Sequence, residues 1–120
     1  MRKTILVADD DPAIGDMLRE MLEDAGFDVE IQMDWQAVQQ MQEPFPDLLL
    51  LDIRLSGMDG RTICRQLKSQ EATRHLPIIL LSAHKDTPQI AREAGAEDFL
   101  AKPFEMGDLL ALVTKYLGSG

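Results

Sequence analysis

Short apolar segments alternate with segments of helical periodicity along the whole chain, and this alternation restricts the possible folds more than any other feature. Each apolar segment is short enough for a strand and is followed by apolar residues at helical spacing. The apolar segments occupy residues 4–8, 27–31, 48–51, 77–81 and 99–100. Five strand–helix units in this order predict a parallel sheet with helices on both faces, joined by right-handed crossovers. We therefore expect a doubly wound α/β fold.

Capping residues mark where the helices begin. Asp11 stands before Pro12, which suits the first helical position, and Asp34 and Asp59 precede the second and third helical patterns. Gly26 follows the first helical pattern and favours its termination. These residues predict three N-caps and the end of the first helix.

The apolar residues of the helical patterns are predicted to face the sheet. Met17, Met21, Met41 and Met106 fall at helical spacing, which indicates core packing rather than a metal or haem site. Cys64 lies on the inward face of the third helix, where it is predicted to be an inert small hydrophobe.

Length and composition describe a single domain. The 120 residues fit one compact unit, residues 1–120, with a core at about 3–117 and a tail or linker start at 118–120. A formal net charge of −9 argues against direct nucleic-acid binding. The single cysteine excludes an internal disulfide, and no segment has the pattern of a signal peptide or a membrane span. The expected location is the cytoplasm.

Polar side chains interrupt the apolar pattern at the ends of the predicted strands. They are Asp9 and Asp10 after the first strand, Asp52 after the third, Ser82 after the fourth and Lys102 after the fifth. Ligands of open α/β sheets bind beyond the carboxyl ends of the strands. If these strands are neighbours in the sheet, the side chains meet in one cleft.

Three carboxylates in one cleft require a proton or a cation. At about 5 Å and an effective dielectric constant near 20, two ionised carboxylates repel each other by roughly 3 kcal/mol. An all-oxygen set of this kind suits Mg²⁺, and a carboxylate can accept a phosphoryl group. Asp52 is the best candidate acceptor, with Lys102 and Ser82 suited to the phosphoryl oxygens. Taken singly, Asp9 or Asp10 could instead cap the first helix, and Asp52 could cap a turn.

Four segments resemble the hallmark segments of response-regulator receiver domains. They read ILVADDDP, DLLLLDIRLSGMDG, PIILLSA and FLAKPF, they occur in the family's order, and the likeness extends from Lys3 to Leu117. The resemblance implies a flavodoxin-like (βα)5 fold with strand order 2-1-3-4-5. It also implies a two-component switch that is not an enzyme on other substrates and catalyses only its own phosphorylation and slow dephosphorylation.

The resemblance assigns roles residue by residue. Asp52 matches the phosphoacceptor, and the implied Mg²⁺ ligands are Asp9, Asp10, Asp52 and the backbone carbonyl of Arg54. Ser82 and Lys102 match the hydroxyl and ammonium groups that engage the phosphoryl group, and Phe99 matches the switch aromatic. The Lys102–Pro103 bond is expected to be cis. The expected donor is a sensor histidine kinase or phosphotransfer protein, and the expected output face comprises the fourth helix, fifth strand and fifth helix.

Two positions depart from the family's pattern, and two others are predicted to affect the lifetime of the phosphoryl group. Ser56 stands where proline is most frequent, which predicts a looser loop after Asp52. Leu112 stands where a dimerising subfamily has arginine, so the oligomeric state stays open. By resemblance, Arg54 and His84 flank the path of the hydrolytic water and are predicted to slow the loss of the phosphoryl group.

Two other functions use related residues. A small phosphatase of the haloacid dehalogenase type would use the carboxylates after the first strand, but it requires a late acidic pair and a cap region that the chain lacks. An unphosphorylated interaction module would not require the acidic set. Partner kinase, signal and regulated process are not encoded in any motif.

Overall fold

Five parallel strands form the central sheet in a computed structural model that describes residues 2–83 and 87–118. In chain order the strands are β1 (Thr4–Ala8), β2 (Asp28–Gln32), β3 (Leu48–Asp52), β4 (Arg54–Leu55), β5 (Met58–Asp59), β6 (Ile78–Ser82) and β7 (Asp98–Ala101). The order in the main sheet is β2-β1-β3-β6-β7, and β4 and β5 form a separate antiparallel hairpin. The expected order 2-1-3-4-5 is therefore confirmed for the main strands.

Helices connect the strands of the main sheet. They are α1 (Pro12–Asp24), α2 (Trp35–Gln39), α3 (Gly60–Ser69), α4 (Thr87–Ala94) and α5 (Met106–Leu117). The side chains of Asp11, Asp34 and Asp59 each accept a hydrogen bond from the backbone N–H two residues further on. All three predicted N-caps are confirmed. Gly26 has a φ of 103°, a left-handed conformation that glycine tolerates after a helix end.

Alternate residues of the strands face two separate apolar layers. Ile5, Leu50 and Ile79 pack with α1 and α5, whereas Leu6 and Leu49 pack with α2, α3 and α4. Burial of each such side chain stabilises the fold by about 2 kcal/mol before conformational entropy is counted. The near-continuous apolar strands predicted a sheet covered on both faces, and the two layers confirm it.

Cys64 belongs to the second layer, on α3. The side chain is fully buried, as predicted. Burial raises the pKa of the thiol to about 11. The reactive thiolate is therefore rare near neutral pH, in agreement with a packing role.

Two methionines depart from the predicted core. Met17 is 42% exposed and Met106 is 55% exposed, so neither fills the core. Leu18, Met21 and Leu22 already occupy the inward stripe of α1, and Met17 lies beside that stripe. Met21 is buried as predicted, and Met41 is partly buried against the second layer.

The segment after Asp52 forms the β4–β5 hairpin, in which Arg54 pairs with Asp59 and Leu55 pairs with Met58. The looser loop expected from Ser56 stays a prediction. Within residues 2–83 and 87–118, no helix has the length and hydropathy needed to cross a membrane.

Candidate functional site

Three carboxylates converge at the carboxyl ends of β1 and β3. The two strands are neighbours in register, with Ala8 opposite Leu51, so Asp9 and Asp52 follow adjacent positions. One carboxylate oxygen from each of Asp9, Asp10 and Asp52 lies within 4.8 Å of the other two. The structure thus brings together the acids that the sequence predicted to meet.

The three carboxylates differ in exposure. The Asp9 side chain is fully buried, the Asp52 side chain is 13% exposed, and Asp10 is exposed. Asp11, and neither Asp9 nor Asp10, caps α1, since Asp11 Oδ1 accepts the Ala13 N–H at 3.0 Å. The alternative reading of Asp9 and Asp10 as helix caps is therefore wrong.

Lys102 supplies the positive charge of the site. Its Nζ donates to Asp9 Oδ2 at 2.9 Å and lies 3.3 Å from Asp52 Oδ2. Burial lowers the pKa of Lys102, but the hydrogen bond to Asp9 and the charges of Asp52 and Asp9 outweigh it, so the pKa lies above its ordinary value. Lys102 is accordingly a fixed cation between two carboxylates.

The strand β7 and the bond after Lys102 place this side chain. Ala101 pairs with Ser82 across β6 and β7, and the Lys102 N–H donates to the Ser82 carbonyl oxygen at 2.8 Å. The Lys102–Pro103 peptide bond is cis, as the family resemblance implied. The chain therefore turns at the sheet end with Lys102 beside Asp9 and Asp52.

The pKa of Asp52 lies above its ordinary value. Burial raises its pKa, and the negative charge of Asp9 raises it further. Lys102 and the Arg54 N–H, which donates to Asp52 Oδ1 at 3.4 Å, oppose this effect without reversing it. The Asp52 carboxylate is hence less stabilised as an anion than an ordinary exposed one, and a bound cation can compensate its charge.

Asp10 is held from the hairpin side. Its Oδ2 accepts the Ser56 N–H at 3.0 Å. Asp10 also borders an open cavity of about 520 Å³, whose other lining residues are Ile53, Arg54, Gly57, Met58, Asp59 and Arg61. Arg54, which is predicted to slow the loss of the phosphoryl group, is exposed on this wall beside the acidic cluster.

The remaining predicted site residues occupy the β6–β7 side. Ser82 is fully buried at the end of β6. Phe99 lies on β7, partly buried against the second apolar layer. His84 lies outside the described residues, so its predicted role stays a prediction.

Gly60 is a structural requirement of the site that the motif analysis missed. A Cβ at this position would overlap the Asp52 carbonyl oxygen and would lie 2.9 Å from the Ile53 Cα. The Gly60 N–H donates to the Ile53 carbonyl oxygen at 2.6 Å. The first residue of α3 is therefore pressed against the backbone of Asp52. A glycine directly after the N-cap Asp59 was the available signal, because glycine is a poor helix former.

The donor set fits Mg²⁺. Three carboxylate oxygens within 4.8 Å are hard ligands of the kind that Mg²⁺ takes while it keeps several waters. The exposure of Asp10 and the adjoining cavity leave room for those waters. The residues present can thus hold a divalent cation at the carboxyl end of the sheet.

Comparisons with known proteins agree with this geometry. The family model for the response regulator receiver domain matches residues 5–114. The DNA-binding response regulator MtrA of Mycolicibacterium smegmatis is 41% identical over 116 residues, which are 94% of this chain and 50% of that protein. This chain spans about half the length of the curated relatives it matches.

Two solved structures extend the likeness to three dimensions. The chemotaxis response regulator CheY4 of Vibrio cholerae has a TM-score of 0.88 at 27% identity, covering 98% of this chain and 100% of that chain. The receiver domain of a sensor histidine kinase from Pseudomonas aeruginosa has a TM-score of 0.86 at 32% identity, covering 99% and 100%. That structure has a magnesium ion coordinated in the active-site cleft.

Proposed function

This chain belongs to the response regulator receiver domain family, and from that premise we propose that it accepts a phosphoryl group on Asp52 in a Mg²⁺-dependent reaction. As a receiver domain it is a component of a two-component system. In this reaction Asp52 is the acceptor, and Asp9, Asp10 and the Arg54 carbonyl are further metal ligands. Ser82 and Lys102 are partners of the phosphoryl group.

The contact of Lys102 with both acids carries this proposal. One ammonium group lies 2.9 Å from a buried carboxylate and 3.3 Å from a partly exposed one. Asp9 balances the ammonium charge in the unphosphorylated domain. Of the two acids that contact Lys102, Asp52 is the one that solvent reaches. A phosphoryl group on Asp52 would therefore form beside a cation that is already in place.

The reaction assigns a separate task to each side chain. A carboxylate oxygen of Asp52 attacks the phosphorus, the P–N bond of the donor phosphohistidine breaks, and the departing imidazole takes up a proton. Lys102 neutralises charge on the phosphoryl oxygens, and the Ser82 hydroxyl donates to one of them. When bound, Mg²⁺ offsets the charge that builds up on the same oxygens. Asp10, held by the Ser56 N–H, presents its free lone pairs to the cation site.

The output follows from the position of Ser82 and Lys102. Ser82 ends β6, which contacts α4, and Lys102 follows β7, which contacts α4 and α5. Phe99 is on β7. We expect the Ser82 side chain to move toward the new phosphoryl group and Phe99 to turn inward. The face formed by α4, β7 and α5 then has two states that phosphorylation biases.

The family and the curated relatives support the proposed partners. The donor is a sensor histidine kinase or phosphotransfer protein, and the reader is an output domain or a downstream protein. The relatives named as DNA-binding regulators are about twice as long as this chain, and we propose that DNA contact lies outside the matched half. With a charge of −9, these 120 residues have little affinity for a phosphate backbone. We propose the cytoplasm as the location of this domain.

The phosphatase alternative would place the nucleophile on Asp9. That side chain is fully buried, paired with Lys102, and accepts the Asp11 N–H at Oδ1. An incoming phosphate ester would have to displace both contacts. Asp52 is the better acceptor because its carboxylate is partly exposed.

Labelling with a small phosphodonor tests the function. The protein is incubated with Mg²⁺ and acetyl phosphate, and intact mass is measured before and after hydroxylamine. We expect one added phosphoryl group that hydroxylamine removes, and none in Asp52→Asn. The matched control is Asp24→Asn, an exposed carboxylate at the end of α1, which should be labelled like the wild type. Absence of label in the wild type would favour an interaction module, and label retained by Asp52→Asn would move the acceptor elsewhere.

A further inference from the structure

The turn of the β4–β5 hairpin has an unusual backbone. Ser56 has a φ of 46° and Gly57 a φ of 86°, and the flanking residues Leu55 and Met58 are paired. Positive φ at both central residues of a two-residue turn is the requirement of a type I′ hairpin. A serine in the left-handed region is uncommon, because its Cβ approaches the carbonyl oxygen. The contacts of Ser56 therefore have to stabilise this conformation.

Ser56 makes one hydrogen bond to each of two other elements. Its N–H donates to Asp10 Oδ2 at 3.0 Å, and its Oγ accepts the Trp35 N–H at 3.1 Å. Trp35 is the first residue of α2, and the Asp34 side chain accepts the next helical N–H, that of Gln36. A single residue thus connects the acidic cluster to the first turn of α2.

Proline at this position could make neither contact. It has no N–H to donate to Asp10, no hydroxyl for Trp35, and a φ fixed near −65°. The left-handed turn is what directs the amide of this residue toward Asp10. Ser56 is consequently the residue that builds the link.

We propose that Ser56 is a positioning residue for Asp10, and that it transmits occupation of the acidic cluster by a divalent cation to Trp35 and α2. The inference rests on the proposed function, because it assigns a cation to that cluster. The N–H of Ser56 holds one oxygen of Asp10 and leaves the other lone pairs of the carboxylate available to the cation. A cation bound to Asp10 weakens or strengthens the hydrogen bond from the Ser56 N–H and so shifts Ser56. Because the Ser56 hydroxyl accepts the Trp35 N–H, this shift changes the surroundings of Trp35.

Magnesium titration with two readouts tests the link. Calorimetry measures Mg²⁺ affinity, and fluorescence reports on Trp35, which is the only tryptophan of the chain. We expect a saturable fluorescence change in the wild type with the same midpoint as the calorimetric isotherm. Ser56→Gly keeps the N–H and the positive φ but lacks the hydroxyl. It should bind Mg²⁺ within about twofold of the wild type and lose most of the fluorescence change.

Ser56→Pro removes the amide donor as well. Its Mg²⁺ affinity should fall by about tenfold, the effect of losing one hydrogen bond to a charged group. Because proline also changes the turn, the Ser56 amide resonance is followed by NMR in the wild-type domain, and it should shift with the same midpoint. The control is Ser69→Ala, an exposed serine at the far end of α3, which should change neither readout.

Three results would overturn the proposal. The first is Trp35 fluorescence that stays constant while calorimetry records Mg²⁺ binding. The second is a fluorescence change in Ser56→Gly as large as that of the wild type. The third is a Ser56 amide resonance that does not shift when Mg²⁺ is added. Failure of the wild type to bind Mg²⁺ at all would overturn the proposed function together with this inference, so the two failures are distinguishable.

Discussion

The ammonium group of Lys102 is closer to Asp9 than to Asp52, at 2.9 Å against 3.3 Å. Asp9 is the fully buried partner of the pair, and a buried carboxylate without a counter-ion would strongly destabilise the fold. Lys102 is thus retained at the site by Asp9 even when Asp52 changes its charge. The acceptor can therefore be modified without leaving an unpaired lysine.

Asp52→Asn should leave the metal-free domain as stable as the wild type or more stable. Burial and the charge of Asp9 raise the pKa of Asp52, so the anion is unfavourable there, and Lys102 keeps Asp9 as its partner. The measurement is thermal unfolding at neutral pH in the presence of a chelator. A clear decrease in Tm would contradict the account of repulsion within the cluster.

Added Mg²⁺ should stabilise the wild-type domain by mass action. At a concentration tenfold above Kd the expected gain is about 1.4 kcal/mol, which follows from binding to the folded state alone. Asp10→Ala should lose most of this gain, while Asp24→Ala, an exposed acid at the end of α1, should keep it. Denaturant titrations with and without Mg²⁺ measure the gain in free energy of unfolding for the wild type and for each variant. An unchanged Mg²⁺ response in Asp10→Ala would remove that residue from the ligand set.

Gly60→Ala should destabilise the domain by about 1–3 kcal/mol, the usual cost of overpacking. The new methyl group would overlap the Asp52 carbonyl oxygen, so the start of α3 and the acceptor strand must separate. Gly107 provides a matched control on α5, because a Cβ there meets nothing within 4 Å. Gly107→Ala should be neutral or stabilising by up to about 1 kcal/mol. Equal effects of the two substitutions on denaturant midpoints would refute the contact at Asp52.

Asp98 should make stability depend on pH in the acid range. Burial raises the pKa of Asp98, but hydrogen bonds from the Phe99 N–H, Tyr116 and Lys115 outweigh it, so the pKa lies below the ordinary value of 3.8. Its contribution is therefore complete above pH 3.8 and is lost as the pH falls through the lowered pKa. Asp98→Asn should cost about 1 kcal/mol at neutral pH, and the difference from the wild type should vanish in strong acid. A difference that is constant with pH would exclude this carboxylate as its source.

The lifetime of the phosphoryl group is expected to depend on Arg54 and His84. Arg54 is exposed on the cavity wall beside the acidic cluster, where it can obstruct the approach of water to the phosphorus. Arg54→Asn combined with His84→Glu would replace both side chains with groups able to orient that water, and loss of label should become faster. The measurement is decay of the purified phosphoprotein after donor removal. Decay at the wild-type rate, or slower, would refute shielding by these residues.

Much of the fold and of the acidic site was predictable because the signals are local. The three N-caps act through an amide only two residues away, and strand burial is recorded in runs such as the four leucines of β3. Once the strands are parallel neighbours, Asp9 and Asp52 must lie at the same edge of the sheet. Periodicity and strand order are sufficient for those conclusions.

The pairings within the site were decided by tertiary structure. Lys102 contacts an acid 93 residues away, and Ser56 contacts Asp10 across 46 residues. The same holds for the exposure of Met17 and for the left-handed turn that gives Ser56 its role. Spacing along the chain determines which face of a strand or helix a residue occupies. Lys102 lies closer to Asp9 than to Asp52 because of burial, side-chain reach and backbone direction. These exist only after the sheet and its connections have packed.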